Sequence, residues 1–139
     1  MQGGKRGPRL LVEPAGCRAE SSPDRWLAAW RVRNLSREPL QLAEAWAPHG
    51  RFRAAARPLG PDLTLLPGES ASLEPAVTCR EPPGTVVENA FLILRLFWRD
   101  RPWRLFARHR VILDEAGAPE PVCEVVTCQP IGFAAKADD

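Results

Sequence analysis

The 139-residue chain has no tyrosine, one methionine and two histidines, and of its 19 basic residues only Lys5 and Lys136 are lysines. A zinc or copper site needs three or four converging soft or imidazole ligands. His49 and His109 do not supply them without the cysteines. The four cysteines, Cys17, Cys79, Cys123 and Cys128, form no Cys-x-x-Cys pair. Cys123 and Cys128 are five positions apart, so on a regular strand they face opposite ways and share no ion unless a bulge intervenes. Neither a metal nor any other cofactor is therefore expected. The serines (Ser21, Ser22, Ser36, Ser70 and Ser72) sit in turns or at strand starts, with no Gly-x-Ser-x-Gly elbow. No glycine-rich phosphate loop opens a helix, since Gly3-Gly4-Lys5 lies in a terminal run. No apolar run approaches the roughly 18 residues of a membrane span. The start, MQGGKRGPRLLVEPAG, is basic, but its apolar part is only Leu10 to Val12, short of a signal peptide. A cytoplasmic protein with reduced thiols is the expectation. Asn34-Leu35-Ser36 fits a glycosylation pattern that carries no meaning without export. These absences leave no catalytic signature, and the chain reads as a non-enzyme.

What is present is ordinary for one globular domain: 45% hydrophobic and 26% charged residues with a net charge of +2. So small a charge does not by itself select a polyanionic partner. Abundant Ala, Arg, Pro and Gly beside scarce Lys and Tyr point to a GC-rich bacterial genome, which reduces the functional weight of the arginine count. Residues 1–8 read as a disordered Gly-rich basic tail, 9–133 as one domain and 134–139 as a frayed end. Fifteen prolines and ten glycines punctuate the chain, and few segments keep a 3.6-residue apolar period. That pattern predicts an all-β sandwich or barrel.

A first strand runs from Arg9 towards Glu20, interrupted at Pro14. Trp26 to Asn34 places Trp26, Ala28, Trp30 and Val32 on one face of a central strand. Helix formers in segment 19–29 compete locally, but the period of two carries through to the turn at Asn34. Leu40 to Trp46 follows, with Leu40, Leu42 and Trp46 aligned inward. Glu44 is the one acid in that run and needs a partner if buried, with Arg31 or Arg53 as candidates. Arg51 to Ala56, Leu63 to Leu66, Ser70 to Val77, the long hairpin of residues 87–114 and Val122 to Thr127 complete seven to nine strands. The expected core comprises Trp26, Trp30, Val32, Leu42, Trp46, Leu92, Leu94, Leu96, Leu105 and Val111.

A long strand, then Asn34-x-Ser36-x-x-Pro39-Leu40, a strand, and Leu66-Pro67-Gly68-Glu69-Ser70 before another strand resembles small bacterial immunoglobulin-like sandwich domains. The intracellular proteinase-inhibitor-like group is the nearest in kind. The resemblance spans roughly residues 26–113. It implies an immunoglobulin-like antiparallel sandwich and carries no functional residue across, because such folds serve many functions.

The hairpin carries the one candidate surface. Setting Trp98 opposite Trp103 about the turn Arg99-Asp100-Arg101-Pro102 gives a core face pairing Leu96 with Leu105, Leu94 with Ala107, Leu92 with His109 and Ala90 with Val111. The other face pairs Phe97 with Arg104, Arg95 with Phe106, Ile93 with Arg108 and Phe91 with Arg110. Arg99 and Arg101 extend the charge to the tip. Arginine interleaved with aromatics suits a protein partner or a second copy of the chain. Single-stranded nucleic acid fits less well, given the low net charge and the lack of lysines. The predicted function is a non-enzymatic protein-binding or assembly module using Phe91, Arg95, Phe97, Arg99, Arg101, Arg104, Phe106, Arg108 and Arg110. Two alternatives stand beside it: a proteinase-inhibitor-like domain presenting the loop 80–85, and a small thiol- or metal-binding protein using the cysteines and His49.

Overall fold

The computed structural model describes residues 7–61 and 63–132. The expected tail over 1–8 and the end over 134–139 lie outside these residues, save Gly7 and Pro8. Ten strands run in chain order: β1 Leu10–Ala19, β2 Arg25–Asn34, β3 Leu40–His49, β4 Phe52–Pro58, β5 Thr64–Leu65, β6 Ser70–Leu73, β7 Ala76–Thr78, β8 Val86–Trp98, β9 Arg101–Leu113 and β10 Pro119–Pro130. There is no helix among the described residues. Segment 19–29 resolves as a turn and then strand β2. The expected strand over 70–77 divides at Glu74-Pro75 into β6 and β7.

All pairings are antiparallel, and hydrogen bonds run in the order β1-β2-β7-β4-β3-β8-β9-β10, with β5 on β3 and β6 on β2. The end strands β1 and β10 lie against each other, so the sheet nearly closes into a barrel. Between β7 and β4 the ladder thins to one bridge, Arg53 with Thr78. The core between the walls is apolar. Trp30 meets Phe52 edge-on at 6.2 Å and His109 at 5.5 Å. Val32, Leu42, Leu92, Leu94, Leu96, Leu105 and Val111 are buried with them.

Of the expected core tryptophans, Trp26 packs against the core from its edge and Trp46 lies outside it. Trp26 is half-buried at the margin, its indole N–H donating to the Cys79 carbonyl at 3.3 Å. Trp46 is half-buried on the outer face. A bulge between Leu42 and Glu44 inserts one residue, so Leu40 and Leu42 point inward, then Ala45 and Ala47, and Trp46 turns out. The same bulge brings Glu44 to Arg95 on β8 at 3.3 Å, not to Arg31 or Arg53.

The turn joining β2 to β3 is fixed by Asn34, which is fully buried. Its Nδ2 donates to the carbonyls of Glu38 and Leu65, both at 2.9 Å, and its Oδ1 accepts the Ser36 N–H at 2.8 Å. The bonds to Glu38 and Ser36 are local capping of the turn, and the one to Leu65 ties it to β5. Leu66-Pro67-Gly68-Glu69 forms a type II turn. Gly68 sits at φ 86°, and the Glu69 N–H reaches the Leu66 carbonyl at 2.9 Å.

Candidate functional site

The β8–β9 hairpin keeps the two expected faces but not the expected pairs. Its turn has two residues, Arg99 (φ 54°) and Asp100 (φ 61°), so Trp98 pairs with Arg101 and Leu96 with Trp103. The partners shift by two positions, which leaves every side chain on its predicted face. Ile93 now opposes Phe106, Phe91 opposes Arg108 and Arg95 opposes Arg104. The expectation that each arginine faces an apolar partner is therefore corrected. A second bulge between Val87 and Ala90, with Asn89 at φ 57°, interrupts the ladder, which resumes at Val87 with Val111. It leaves Glu88 3.5 Å from Arg110.

The outer surface spans β3, β8, β9 and β10. Phe91 and Phe106 meet edge-to-face at 6.3 Å, and Ile93 fills the space beside them. Trp46 flanks them on β3, and exposed Val122 and Val125 continue the apolar strip on β10. The solvent face of an antiparallel sheet is normally polar; this one is aromatic and half-buried.

Carboxylates from neighbouring strands hold three of its arginines. Arg95 pairs with Glu44 at 3.3 Å and lies 5.5 Å over the Phe97 ring. Arg108 lies 3.6 Å from Glu124, and Arg110 lies between Glu88 and Glu124 at 3.5 and 3.9 Å. Arg104 differs. No carboxylate pairs with it among the described residues, and its guanidinium stands 5.8 Å over the Trp46 ring; its buried Nε, like that of Arg108, has no hydrogen-bond acceptor. Arg99 leaves the face altogether. At the hairpin tip it grips Glu38 with two bonds of 2.9 and 3.0 Å and stacks 4.5 Å over Trp98. That pairing lowers the Glu38 pKa and raises that of Arg99. Arg101, at the turn, pairs with Trp98 across the ladder.

No protein-family model matches the chain, and no curated protein is similar enough to count as a relative.

The other candidate groups are accounted for in place. His49 Nδ1 accepts the Arg51 N–H across the β3–β4 turn at 3.0 Å. His109 is buried in the core, with Nε2 accepting from the Trp30 indole at 3.0 Å and Nδ1 facing the Ala107 carbonyl at 2.9 Å. An indole only donates, so His109 is the neutral tautomer with its proton on Nδ1. Burial lowers its pKa, against upward pulls from backbone bonds to Ala107 and Ala90 and from Glu124.

All four cysteines are free thiols. Desolvation pushes Cys17 up to about 12 and Cys79 and Cys128 up to about 11, and raises Cys123. Cys123 and Cys128 both pack against the core, because a bulge between Cys123 and Val125 reverses the alternation. They pair with His109 and Leu105, four positions apart on β9, which separates them by about 13 Å, too far for one ion. No group of three or more His, Cys, Asp or Glu side chains converges among the described residues. The 80–85 segment curls back on itself: the Thr85 N–H reaches Pro82 at 3.1 Å, Gly84 donates to Leu113 at 2.8 Å, and Glu81 binds Arg51 at 2.6 Å. It is a pinned turn, without the extended run a protease-blocking loop presents.

Proposed function

We propose that the protein is a non-enzymatic binding module, and that the outer face of β3, β8, β9 and β10 docks a partner protein carrying an acidic residue amid apolar side chains. One observation carries this reading: among the described residues Arg104 makes no ion pair with a carboxylate, and it stands over Trp46 on the same face of β9 as Phe106. The other arginines of the face are neutralised within the fold, so they shape the rim and add little attraction. An aromatic centre with an arginine anchor inside a ring of satisfied ion pairs is the composition that concentrates binding energy. A partner carboxylate meeting Arg104 forms a charge-assisted bond in a setting already shielded from water.

Immunoglobulin-like sandwich architecture is the finer reading of the fold. It is supported by the single bridge joining the β4 and β7 sides of the sheet.

The test uses Arg104→Glu, with Arg31→Glu on the exposed outer side of β2 as control. Captured from the native host and quantified by mass spectrometry, partners held by the wild type and by Arg31→Glu should be lost from Arg104→Glu. Circular dichroism should show the three proteins equally folded. Equal retention by Arg104→Glu contradicts the proposal. A purified protein of twice 15.4 kDa by light scattering, with Arg104→Glu monomeric, moves the reading to self-assembly through the same face.

A further inference from the structure

A second site lies at the hairpin-tip end, away from the aromatic face. A cleft of about 400 Å³ opens between the segment Gly7 to Arg9, the turn 35–38 and the tip residues Trp98 and Arg99. That volume suits a small ligand.

Its walls are prebuilt. Asn34 fixes the turn, and Ser36 Oγ accepts the Arg9 N–H at 2.8 Å, tying the entering chain to it. Arg99 and Glu38 neutralise each other in a two-bond pair. Arg9 and Arg37 make no ion pair among the described residues, so the rim carries two uncompensated positive charges. Leu35, 43% exposed, supplies an apolar lip beside them.

The inner wall holds an unmet donor. Trp98 is 8% exposed, and its indole N–H, like that of Trp103 behind it, is buried with no acceptor; of the two rings, Trp98 lines the cleft. Leaving such a donor unpaired costs about 1–3 kcal/mol. The ring is held from two sides: Arg99 lies over it, and Trp103 meets it edge-on at 5.9 Å. Trp98 lines the cleft, so occupancy registers at its indole proton.

We infer that this cleft binds a carboxylate attached to an apolar group, with Arg9 and Arg37 holding the anion, Leu35 the apolar part, and the Trp98 indole N–H taking up an acceptor. A free apolar acid and the C-terminus of a peptide share this chemistry.

Nuclear magnetic resonance of the ¹⁵N-labelled full chain tests it, because each tryptophan reports its own indole N–H. The probes are phenylacetate, N-acetyl-leucine and, as the uncharged control, N-acetyl-leucinamide. N-acetyl-leucine at millimolar concentration should shift the Trp98 indole signal and leave that of Trp30, already bonded to His109, in place. The amide should give no shift. Arg9→Ala with Arg37→Ala should weaken binding about tenfold or more, as loss of charge-assisted bonds does. Phenylacetate acting alone assigns the site to free acids; N-acetyl-leucine acting alone assigns it to peptide termini. No Trp98 shift with either acid, an equal shift with the amide, or unchanged binding in the double variant overturns the inference.

Discussion

At the scale of single residues, the buried histidine sets the pH response. His109 is neutral because Trp30 donates to it, and burial lowers its pKa from the ordinary value. A histidine whose folded pKa lies below its unfolded value contributes nothing to pH dependence above about pH 6.5. Below that, the unfolded chain binds a proton the native core refuses, so stability falls. The slope approaches about 1.4 kcal/mol per pH unit until the folded value is reached. Urea denaturation at pH 7.5, 6.5 and 5.5 should show this loss, and His109→Leu should flatten it. The same substitution leaves the Trp30 indole without an acceptor and should cost about 1–3 kcal/mol at pH 7.5. Carboxylate effects come at lower pH: Glu38 and Glu81 have lowered values through Arg99 and Arg51, so their contributions vanish only as pH falls through those values. Asn34 is the other decisive single residue. Asn34→Ala removes the partner of the Glu38 carbonyl and the Ser36 N–H in the turn and of the Leu65 carbonyl on β5, and thermal or urea unfolding should register a loss of about 2–4 kcal/mol.

At the scale of elements, the hairpin shows what a strand sequence reveals. The two faces of β8 and β9 follow from alternation alone, because Leu92, Leu94 and Leu96 against Phe91, Arg95 and Phe97 permit one assignment. The register does not follow, because a slip of two keeps every face. The turn is Arg99-Asp100, with both residues left-handed, where a type I′ turn normally has Asn or Gly. The Arg99 bonds to Glu38 and its stacking on the neighbouring Trp98 hold that backbone, and Glu38 is distant in sequence. Asp100→Gly should relieve strain and raise the melting temperature by about 2–5 °C in calorimetry. The bulges at 42/44, 87/90 and 123/125 are likewise set by packing. They explain why Trp46 turns outward, why Glu44 meets Arg95, and why Cys123 and Cys128 share the core side. Trp46 was the one aromatic of the candidate surface hidden from a strict count of two. No local signal marks the missing step, since Leu42-Ala43-Glu44-Ala45 lacks the glycine that often flags a bulge.

At the scale of the whole molecule, an all-β chain wraps one core while its outer wall on β3, β8, β9 and β10 stays aromatic. The core is common to both sides of the Arg53–Thr78 bridge and helps to join them. Phe52→Ala should remove the edge contact on Trp30 and cost about 3–5 kcal/mol in chemical denaturation. The thiols belong to this packing as well. With Cys17 at about 12 and Cys79 and Cys128 at about 11, the native protein should react slowly with a thiol reagent at pH 8 and fully once unfolded. The most direct test of the outer wall as a docking face is site-specific photocrosslinking in the native host, with a photoreactive phenylalanine analogue replacing Phe106 on the aromatic face or exposed Leu11 on β1. The account predicts a discrete protein adduct from position 106 that disappears when Arg104→Glu is added, and none from position 11. No adduct at 106, or one that survives Arg104→Glu, would contradict it.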